Sequence, residues 1–401
     1  MLNGMTAPTC SPLLVIAHRG ASGERPEHTL EAYRLAIAQG ADFIEPDLVP
    51  TRDGVLVARH ENALSGSTDV ADRPEFADRR TRKRIDGVWI EDWFAEDFRL
   101  DELRQLRARE TRPDTRPDNA AFDGQFGIPT FAEVIALAKA ESQRLGRPIG
   151  LYPETKHPTF FLHEGRHLDG ERIALDISAM LLDELVASEF TNPACVYIQS
   201  FEIDNLQRLS TVLMPAAGLR LPLVFLLGDT SGRSDPTQTN FGQPFDVVWF
   251  ASQGEALRPR YGALAECVPS FGAATHYGQL LTAPAMQALR RIVDGLGVWI
   301  PAALQAMPAG SDAVDRRPRV GPVPAAWLST VRELNFAVHA YTVRDEAPYR
   351  LLDEAGLALS TEALIRRLHA AGATGVFADQ PSLAVAVRDA LPPTLGVLGC
   401  A

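Results

Sequence analysis

Eight short aliphatic segments recur along the chain and alternate with longer stretches of helical periodicity. This alternation indicates βαβ units, in which helices cover a sheet of parallel strands. Eight strands are the number that closes a (β/α)8 barrel, so we predict an α/β fold of the TIM-barrel class over residues 13–390. The predicted strands are Leu13–Ala17, Asp42–Asp47, Pro148–Glu154, Ala194–Ser200, Leu221–Leu227, Leu296–Pro301, Phe336–Thr342 and Gly375–Asp379, and the clearest predicted helices are Leu30–Gln39, Thr130–Leu145, Arg172–Ser188 and Thr361–Ala371.

Two connections are longer than a simple barrel requires. Residues 61–128 follow the second strand, are rich in Arg and Asp, and contain one good helix candidate at Asp101–Glu110. We predict an insertion subdomain here, with an exposed loop at Thr111–Asn119 because prolines and charges repeat there. Residues 228–290 follow the fifth strand and begin with Gly, Ser, Thr and Pro. We expect them to form a second insertion, whose fold the sequence leaves open.

The composition excludes several classes of function. The 401 residues are 46% hydrophobic, which is enough for a large core. The net charge of 39 − 51 = −12 argues against a nucleic-acid-binding surface and disfavours adhesion to anionic membrane surfaces. No segment approaches the roughly 20 apolar residues of a membrane span. The first residues carry neither a basic start nor an apolar signal core, which predicts a cytoplasmic protein, or a periplasmic or secreted one if a leader has been removed. The oligomeric state stays open.

The cysteines carry no recognisable ligand pattern. Cys10, Cys195, Cys267 and Cys400 show no CxxC or other metal-ligand spacing. We interpret them as free or buried thiols, with a Cys10–Cys400 bridge between the termini as a weakly supported alternative.

Ionisable residues are concentrated at the ends of the first two predicted strands. His18 and Arg19 follow the apolar run LLVIA, which places them at the C-terminal end of a barrel strand, where active sites of this fold lie. The guanidinium of Arg19 offers a planar set of donors suited to phosphate. Glu45 and Asp47 are two residues apart, so on a strand both point to the same face. Buried like charges require a neutralising cation, which predicts a metal site.

Two further features belong to the same segment. Pro46 separates the two carboxylates, and because proline normally avoids central strands, the local pairing has to accommodate it. His60 closes the hairpin-like element RDGVLVARH, in which Asp53 and Gly54 are a turn signal. His18 and His60 together would supply two imidazoles for proton transfer near neutral pH.

The motifs AHRGASGERPEHT and FIEPDLVPTRDGVLVARHE resemble those of the glycerophosphodiester phosphodiesterase family, especially its bacterial periplasmic-type branch. The resemblance covers roughly residues 13–227 and 291–385 and is strongest at the first, second, third and eighth strands. It implies that Glu154, in YPETK, is the third metal carboxylate and that Lys156 lies beside the phosphate. The family usually has His-Asp where this chain has His60-Glu61, so a carboxylate that orients the imidazole would reach it differently.

Three other strand ends match the family pattern. The resemblance implies that Gln199 and Phe201, in YIQSF, and Tyr341, in HAYTVR, contact the substrate. GVFADQP matches the final strand, where we expect Asp379 to end the strand structurally rather than to take part in catalysis.

The resemblance implies hydrolysis of deacylated phospholipids, such as glycerophosphocholine, to sn-glycerol 3-phosphate and an alcohol. His18, His60 and Arg19 would be catalytic, with the base and acid roles of the histidines left open. Either water or the glycerol hydroxyl of the substrate, through a cyclic phosphate, would attack. Hard oxygen ligands select Ca²⁺ or Mg²⁺, and the resemblance favours Ca²⁺. The expected partner is thus a small-molecule substrate. Candidate contacts for its head group are Trp89, Trp93 and Trp299, unless these residues pack within the fold.

The sequence gives less support to four alternative functions or sites. A lysophospholipase D on the same barrel would need an apolar track or a membrane-facing loop, and the sequence shows no clear amphipathic cationic stretch. A ligand-binding or adhesion barrel without catalytic activity would have lost catalytic residues, whereas this chain retains both histidines and all three acids. A zinc site at His157, His163 and His167 lacks a convincing fourth ligand, so we expect a solvated loop near the substrate instead. HRGASG lacks the Lys-Ser/Thr of a P-loop, so nucleotide binding is not supported.

Overall fold

The computed structural model describes residues 13–232, 241–307 and 315–392. Its parallel strands occupy eight positions that pair in a ring, which confirms the predicted TIM barrel. The second position is divided into β2 and β3 and the third into β7 and β8, and the ring then runs through β9 to β13 and back to β1. The strands are β1 Leu14–His18, β2 Phe43–Glu45, β3 Asp47–Pro50, β4 Leu56–Ala58, β5 Thr81–Ile85, β6 Val88–Asp92, β7 Gly150–Leu151, β8 Glu154–Thr155, β9 Ile198–Ser200, β10 Leu223–Leu227, β11 Gly295–Trp299, β12 Ala337–Val343 and β13 Gly375–Ala378.

Prolines explain why two predicted strands are each divided. Pro46 separates β2 from β3 because it has no N–H to donate to a neighbouring strand. Its carbonyl still accepts a hydrogen bond from the N–H of Glu154 (2.9 Å), so pairing with the third position continues across the break. Pro153 interrupts the third position in the same way, and its carbonyl accepts from the N–H of Gln199 (3.0 Å). The barrel therefore accommodates Pro46 as expected.

Capping residues determine where helices begin, and hydrophobic periodicity alone predicts those positions less accurately. Thr130 and Glu133 form a reciprocal capping box before the predicted helix at 130–145. The predicted helix at Arg172–Ser188 begins only at Ile177, because the Asp176 side chain accepts from the N–H of Ala179. The helices are α1 Leu30–Ala38, α2 Leu100–Leu103, α3 Pro117–Ala120, α4 Phe131–Leu145, α5 Ile177–Ala187, α6 Ile203–Arg208, α7 Met214–Ala216, α8 Phe245–Ser252, α9 Leu257–Tyr261, α10 Ala263–Cys267, α11 Ala283–Leu289, α12 Ile300–Ala303, α13 Trp327–Glu333, α14 Thr361–Ala370 and α15 Pro381–Asp389.

Two further predicted elements are also wrong in extent. The helix expected at Asp101–Glu110 is the single turn α2, because Ala108 leaves the helical path and its N–H donates to the carbonyl of Phe126 (2.8 Å). The strand expected at Leu296–Pro301 ends at Trp299, and Pro301 lies in the first turn of α12, where proline is well tolerated.

Apolar side chains fill the barrel below its C-terminal end. Ile16, Phe43, Tyr152, Val224 and Phe377 form a buried cluster inside the ring. Because side chains alternate along a strand, His18 lies on the same face of β1 as Ile16 and emerges above this cluster. A second, larger apolar cluster packs the helices against the outside of the barrel. The polar residues at the strand ends therefore lie directly above a packed apolar core.

The two long connections have different contents. Residues 61–128 carry the antiparallel hairpin β5–β6 together with short helical turns, and residues 228–290 carry α8 to α11. The proposed bridge between Cys10 and Cys400 lies outside the described residues, and within them Cys195 and Cys267 are free thiols, as expected. Across the described chain, no helix combines the length and apolarity needed to cross a bilayer.

Candidate active site

A cavity of about 430 Å³ opens at the C-terminal ends of the barrel strands. It brings together every residue that the sequence predicted for the site, although those residues are spread over more than 300 positions. The predicted residues that line it are His18, Arg19, Glu45, Asp47, His60, Glu154, Lys156, Gln199, Phe201 and Tyr341.

Three buried carboxylates form the acidic part of the cavity. Glu45 ends β2, Asp47 begins β3 and Glu154 begins β8, and one oxygen of each lies within 4.8 Å of the others. Glu45 accepts hydrogen bonds from the backbone N–H of Arg19 (2.8 Å) and from Nε2 of Gln199 (3.0 Å). Oδ1 of Asp47 is buried and has no hydrogen-bond partner. An unpartnered carboxylate oxygen among buried acids fits the ligand set of a hard cation.

The electrostatics of this cluster favour added positive charge. Burial, followed by the charge of Asp47, raises the pKa of Glu45 well above its usual range. Burial also raises the pKa of Glu154 to about 8. Burial opposes ionisation of Asp47 as well, but the charge of Lys156 and a hydrogen bond from His28 hold its pKa well below the usual range. Three carboxylates this close cannot all stay ionised without a cation.

His18 is held by a carboxylate from the far end of the chain. Its Nδ1 donates to Oδ1 of Asp379 (2.6 Å), and the second oxygen of Asp379 accepts from Arg116 and from Nε of Arg344 (2.8 Å). This hydrogen bond selects the tautomer with the proton on Nδ1 and leaves Nε2 unprotonated. Asp379 does follow the end of the last strand, as expected, and its carboxylate in addition holds the ring of His18, a contact that the sequence did not indicate.

His60 has a similar arrangement with its sequence neighbour. Its Nδ1 lies 3.0 Å from Oε1 of Glu61, so the longer acid at this position does reach the imidazole. Burial and the charge of Arg19 lower the pKa of His18 to about 3. Partial desolvation, with the charges of Arg19 and Lys156, lowers the pKa of the half-buried His60 to about 4. Both rings are therefore neutral near pH 7 and able to accept a proton.

Cationic side chains lie next to the carboxylates. Nη1 of Arg19 donates to Glu27 (2.9 Å), and its Nε lies 3.5 Å from Asp47. Nζ of Lys156 is 3.0 Å from Glu154, and this carboxylate, with Asp47, raises the pKa of the lysine despite its burial. Arg112 and Arg344 also line the cavity. The site can therefore neutralise a phosphate group from several directions.

The segment Thr111–Asn119 is only in part the exposed loop that the sequence predicted: its prolines and aspartates are exposed, but two of its residues point inward. Arg116 and Asn119 are buried, and both donate to the carbonyl of Ser22 (2.8 and 3.1 Å). Their partners follow the first strand, more than 90 residues earlier, so local composition gave no sign of the contact. The segment lies along one side of the site and places Arg116 in contact with Asp379.

Two residues next to the HRG motif also support the site. Glu27 pairs with Arg19, and His28 donates through Nε2 to Asp47 (2.9 Å) while its Nδ1 lies 2.8 Å from the hydroxyl of Tyr33. The only signal in the sequence was their position in PEHT, directly after the HRGASG motif.

The three histidines at 157, 163 and 167 do not converge, which removes the zinc alternative. His157 contacts Asp86 and Glu61, His163 stacks on Trp249 at 5.5 Å, and His167 donates to the carbonyl of Glu96. Among the described residues, the one candidate metal group of this kind is the cluster of three carboxylates. The expectation of a solvated loop is wrong for His157, which is buried.

Aromatic side chains also line the cavity. Phe201 contacts Tyr341 and Phe241, and Phe241 packs edge-on against Trp299. The hydroxyl of Tyr341 is directed to the carbonyl of Leu227 (2.7 Å). Of the three tryptophans considered for head-group contacts, Trp299 lines the cavity. Trp89 is 58% exposed on β6, and Trp93 donates to the carbonyl of Phe76.

Comparison with known proteins identifies relatives for nearly the whole chain. A family described as the glycerophosphoryl diester phosphodiesterase family matches residues 18–383. A glycerophosphodiester phosphodiesterase of Haemophilus influenzae is 30% identical over 389 residues, covering 94% of this chain and 89% of that protein. The glycerophosphodiester phosphodiesterase GDPD6 of Arabidopsis thaliana is 34% identical over 232 residues, which are 57% of this chain and 59% of the plant protein.

A solved structure supports the fold. A crystal structure from Silicibacter pomeroyi DSS-3 superposes with a TM-score of 0.54 at 18% identity, covering 96% of this chain and 94% of that one. At this identity the likeness concerns the barrel architecture alone.

Proposed function

This chain belongs to the glycerophosphoryl diester phosphodiesterase family and is a phosphoric diester hydrolase, and we propose that its substrates are deacylated phospholipids such as glycerophosphocholine. The products are sn-glycerol 3-phosphate and the head-group alcohol. One observation carries this proposal. Two imidazoles, each backed by a carboxylate, open on the same cavity as three clustered acids and several cationic side chains.

Glu45, Asp47 and Glu154 are the residues that would hold a divalent cation. Their ligand atoms are all carboxylate oxygens, which suit Ca²⁺ or Mg²⁺ rather than softer metals. We favour Ca²⁺, because a cluster drawn from separate strand positions suits the larger ion's tolerance of irregular coordination. When bound, the cation supplies Lewis-acid neutralisation of the phosphate oxygens.

Arg19 and Lys156 bind the phosphate in this proposal. Both side chains are buried at the cavity wall, where charge–charge interactions are stronger than in water. Each is already paired with a carboxylate, Arg19 with Glu27 and Lys156 with Glu154, which holds its charged group in place before substrate arrives. Such fixed charges stabilise the negative charge that develops on the phosphate oxygens in the transition state.

His18 and His60 divide the proton transfers. One neutral imidazole accepts the proton of the attacking oxygen as the new P–O bond forms. The other, which is neutral in the free site, takes up a proton when the bound phosphate anion raises its pKa, and it donates that proton to the alcohol oxygen as the old P–O bond breaks. Their carboxylate partners, Asp379 and Glu61, stabilise the imidazolium form of each ring and fix the nitrogen that faces the cavity.

The reaction is tested by following glycerophosphocholine with ³¹P NMR. We expect the diester resonance to be replaced by that of sn-glycerol 3-phosphate; phosphocholine as product, or faster turnover of lysophosphatidylcholine, would contradict the proposal. A p-nitrophenyl diester of glycerol phosphate then separates the two histidines, since its leaving group needs no acid. Of His18→Ala and His60→Ala, the variant that lacks the acid recovers activity on this substrate, whereas the one that lacks the base does not.

A further inference from the structure

Glu61 lies between two imidazoles. Its Oε1 is 3.0 Å from Nδ1 of His60, and its Oε2 accepts from Nε2 of His157 at 3.1 Å. The side chains of His60 and Glu61 are 33% and 34% exposed, so packing alone does not fix them. The side chain of His157 is buried, at 5% exposure, so it is the fixed partner in the series of contacts His157–Glu61–His60.

His157 is itself held from a second side. Its Nδ1 donates to Oδ2 of Asp86 (2.7 Å), which lies in the turn of the β5–β6 hairpin with Gly87. The two carboxylates raise the pKa of His157 to about 10 against the effect of burial, so both ring nitrogens carry protons near neutral pH. The backbone of His157 has a φ of 47°, a conformation that persists in a non-glycine residue only when its surroundings hold it.

We propose that His157 is a positioning residue for the reaction: by holding Glu61, it fixes the ring orientation and tautomer of His60. This role rests on the proposed function. A glutamate side chain has several rotatable bonds, and when exposed it samples many conformations. The hydrogen bond from His157 to Oε2 restricts Glu61 to the conformation in which Oε1 accepts from His60. Nε2 of His60 then stays free toward the cavity, ready to transfer a proton.

Two substitutions separate this role from simple support of the hairpin. In His157→Gln the amide can take the place of Nε2 and keep the bond to Glu61. In His157→Asn the amide takes the place of Nδ1 and keeps the bond to Asp86 instead. His167→Asn is the matched control, because His167 donates through Nδ1 to the carbonyl of Glu96 and does not line the cavity.

The kinetic test compares kcat and KM of these variants on glycerophosphocholine. For His157→Asn we expect kcat to fall about 10- to 100-fold with little change in KM, as for loss of other groups that orient a reacting side chain. His157→Gln and His167→Asn should stay within about threefold of wild type. Equal losses in the Gln and Asn variants, or a larger loss in Gln, would overturn the proposal. No turnover by wild type would instead refute the proposed function.

A second readout does not depend on turnover. In protein labelled with ¹⁵N-histidine, the resonances of His60 are assigned by their loss in His60→Ala. We expect a single tautomer with the proton on Nδ1 in wild type and in His157→Gln, and a mixture of tautomers in His157→Asn. Identical His60 resonances in all three proteins would show that His157 does not position the ring.

Discussion

Replacing Asp379 by Asn should disable His18 without dismantling the barrel. Asp379 is only 1% exposed, and one oxygen accepts from His18 while the other accepts from Arg116 and Arg344. The two guanidiniums can only donate, so they select the amide oxygen of the new side chain. The amide NH₂ then faces Nδ1 of His18 and stabilises the tautomer with its proton on Nε2. The nitrogen facing the cavity can no longer accept a proton.

The size of the effect follows from the loss of one proton-transfer group. Such groups contribute about 10²- to 10⁴-fold, so we expect kcat to fall about 10³-fold, equivalent to about 4 kcal/mol in the activation barrier. KM should change little, since Asp379 does not line the cavity. The variant should also lose about 3 kcal/mol of stability, because a buried carboxylate paired with arginines is neutralised.

The assay combines initial rates on glycerophosphocholine with urea unfolding of the same preparation. Asp42→Asn is the matched control: Asp42 accepts from the N–H of Val15 (2.8 Å) and pairs with Arg388, near the N-terminal ends of β1 and β2. This control should lose stability but keep its kcat. A kcat for Asp379→Asn within about threefold of wild type, in a folded protein, would refute the assignment of His18 and Asp379 as a functional pair.

Three further predictions concern the metal site, pH and the helix cap. Glu154→Gln removes one of three clustered carboxylates, so Ca²⁺ affinity measured by calorimetry should fall at least about tenfold; unchanged affinity would exclude this ligand. His157 has a folded pKa of about 10 against 6.5 unfolded, so its contribution, about 5 kcal/mol at most, is complete below about pH 6.5 and is lost as the pH rises toward 10. Urea unfolding from about pH 6 to pH 10 should therefore show a smaller loss in His157→Gln than in wild type, and equal losses would contradict this sign. Thr130→Ala removes the capping box of α4 and should cost about 1 kcal/mol of unfolding free energy with no change in kcat, whereas a loss of activity would mean that α4 affects the site.

The sequence predicted the barrel because its strands are nearly continuous apolar runs. β10, Leu223–Leu227, is buried along its whole length, as expected of a parallel strand covered on both faces. The same logic placed Glu45 and Asp47 at the rim of the barrel where parallel strands end, and the family resemblance added Glu154 as the third carboxylate. Periodicity failed where individual hydrogen bonds determine the backbone. The Asp176 side chain caps the start of α5, and the predicted helix at 101–110 cannot include Ala108, whose N–H donates to the carbonyl of Phe126.

The supporting residues of the site could not be predicted because their partners are distant in sequence. Asp379 meets His18 across 361 positions and receives Arg116 from a segment whose composition indicates an exposed loop. His157 reads as one of three histidines in a polar loop, and only the folded hairpin brings Asp86 to it. Local motifs therefore located the groups that line the cavity, whereas the tertiary structure revealed the residues that hydrogen-bond to those groups.

The most direct test of the account is turnover of glycerophosphocholine after removal of divalent cations. We expect release of sn-glycerol 3-phosphate to stop in EDTA and to return when Ca²⁺ is added in excess, with Mg²⁺ less effective. Glu45→Gln and Asp47→Asn should show no such recovery. Full turnover in EDTA, or no turnover of folded protein with either ion, would contradict a metal-dependent glycerophosphodiester phosphodiesterase built on these three carboxylates.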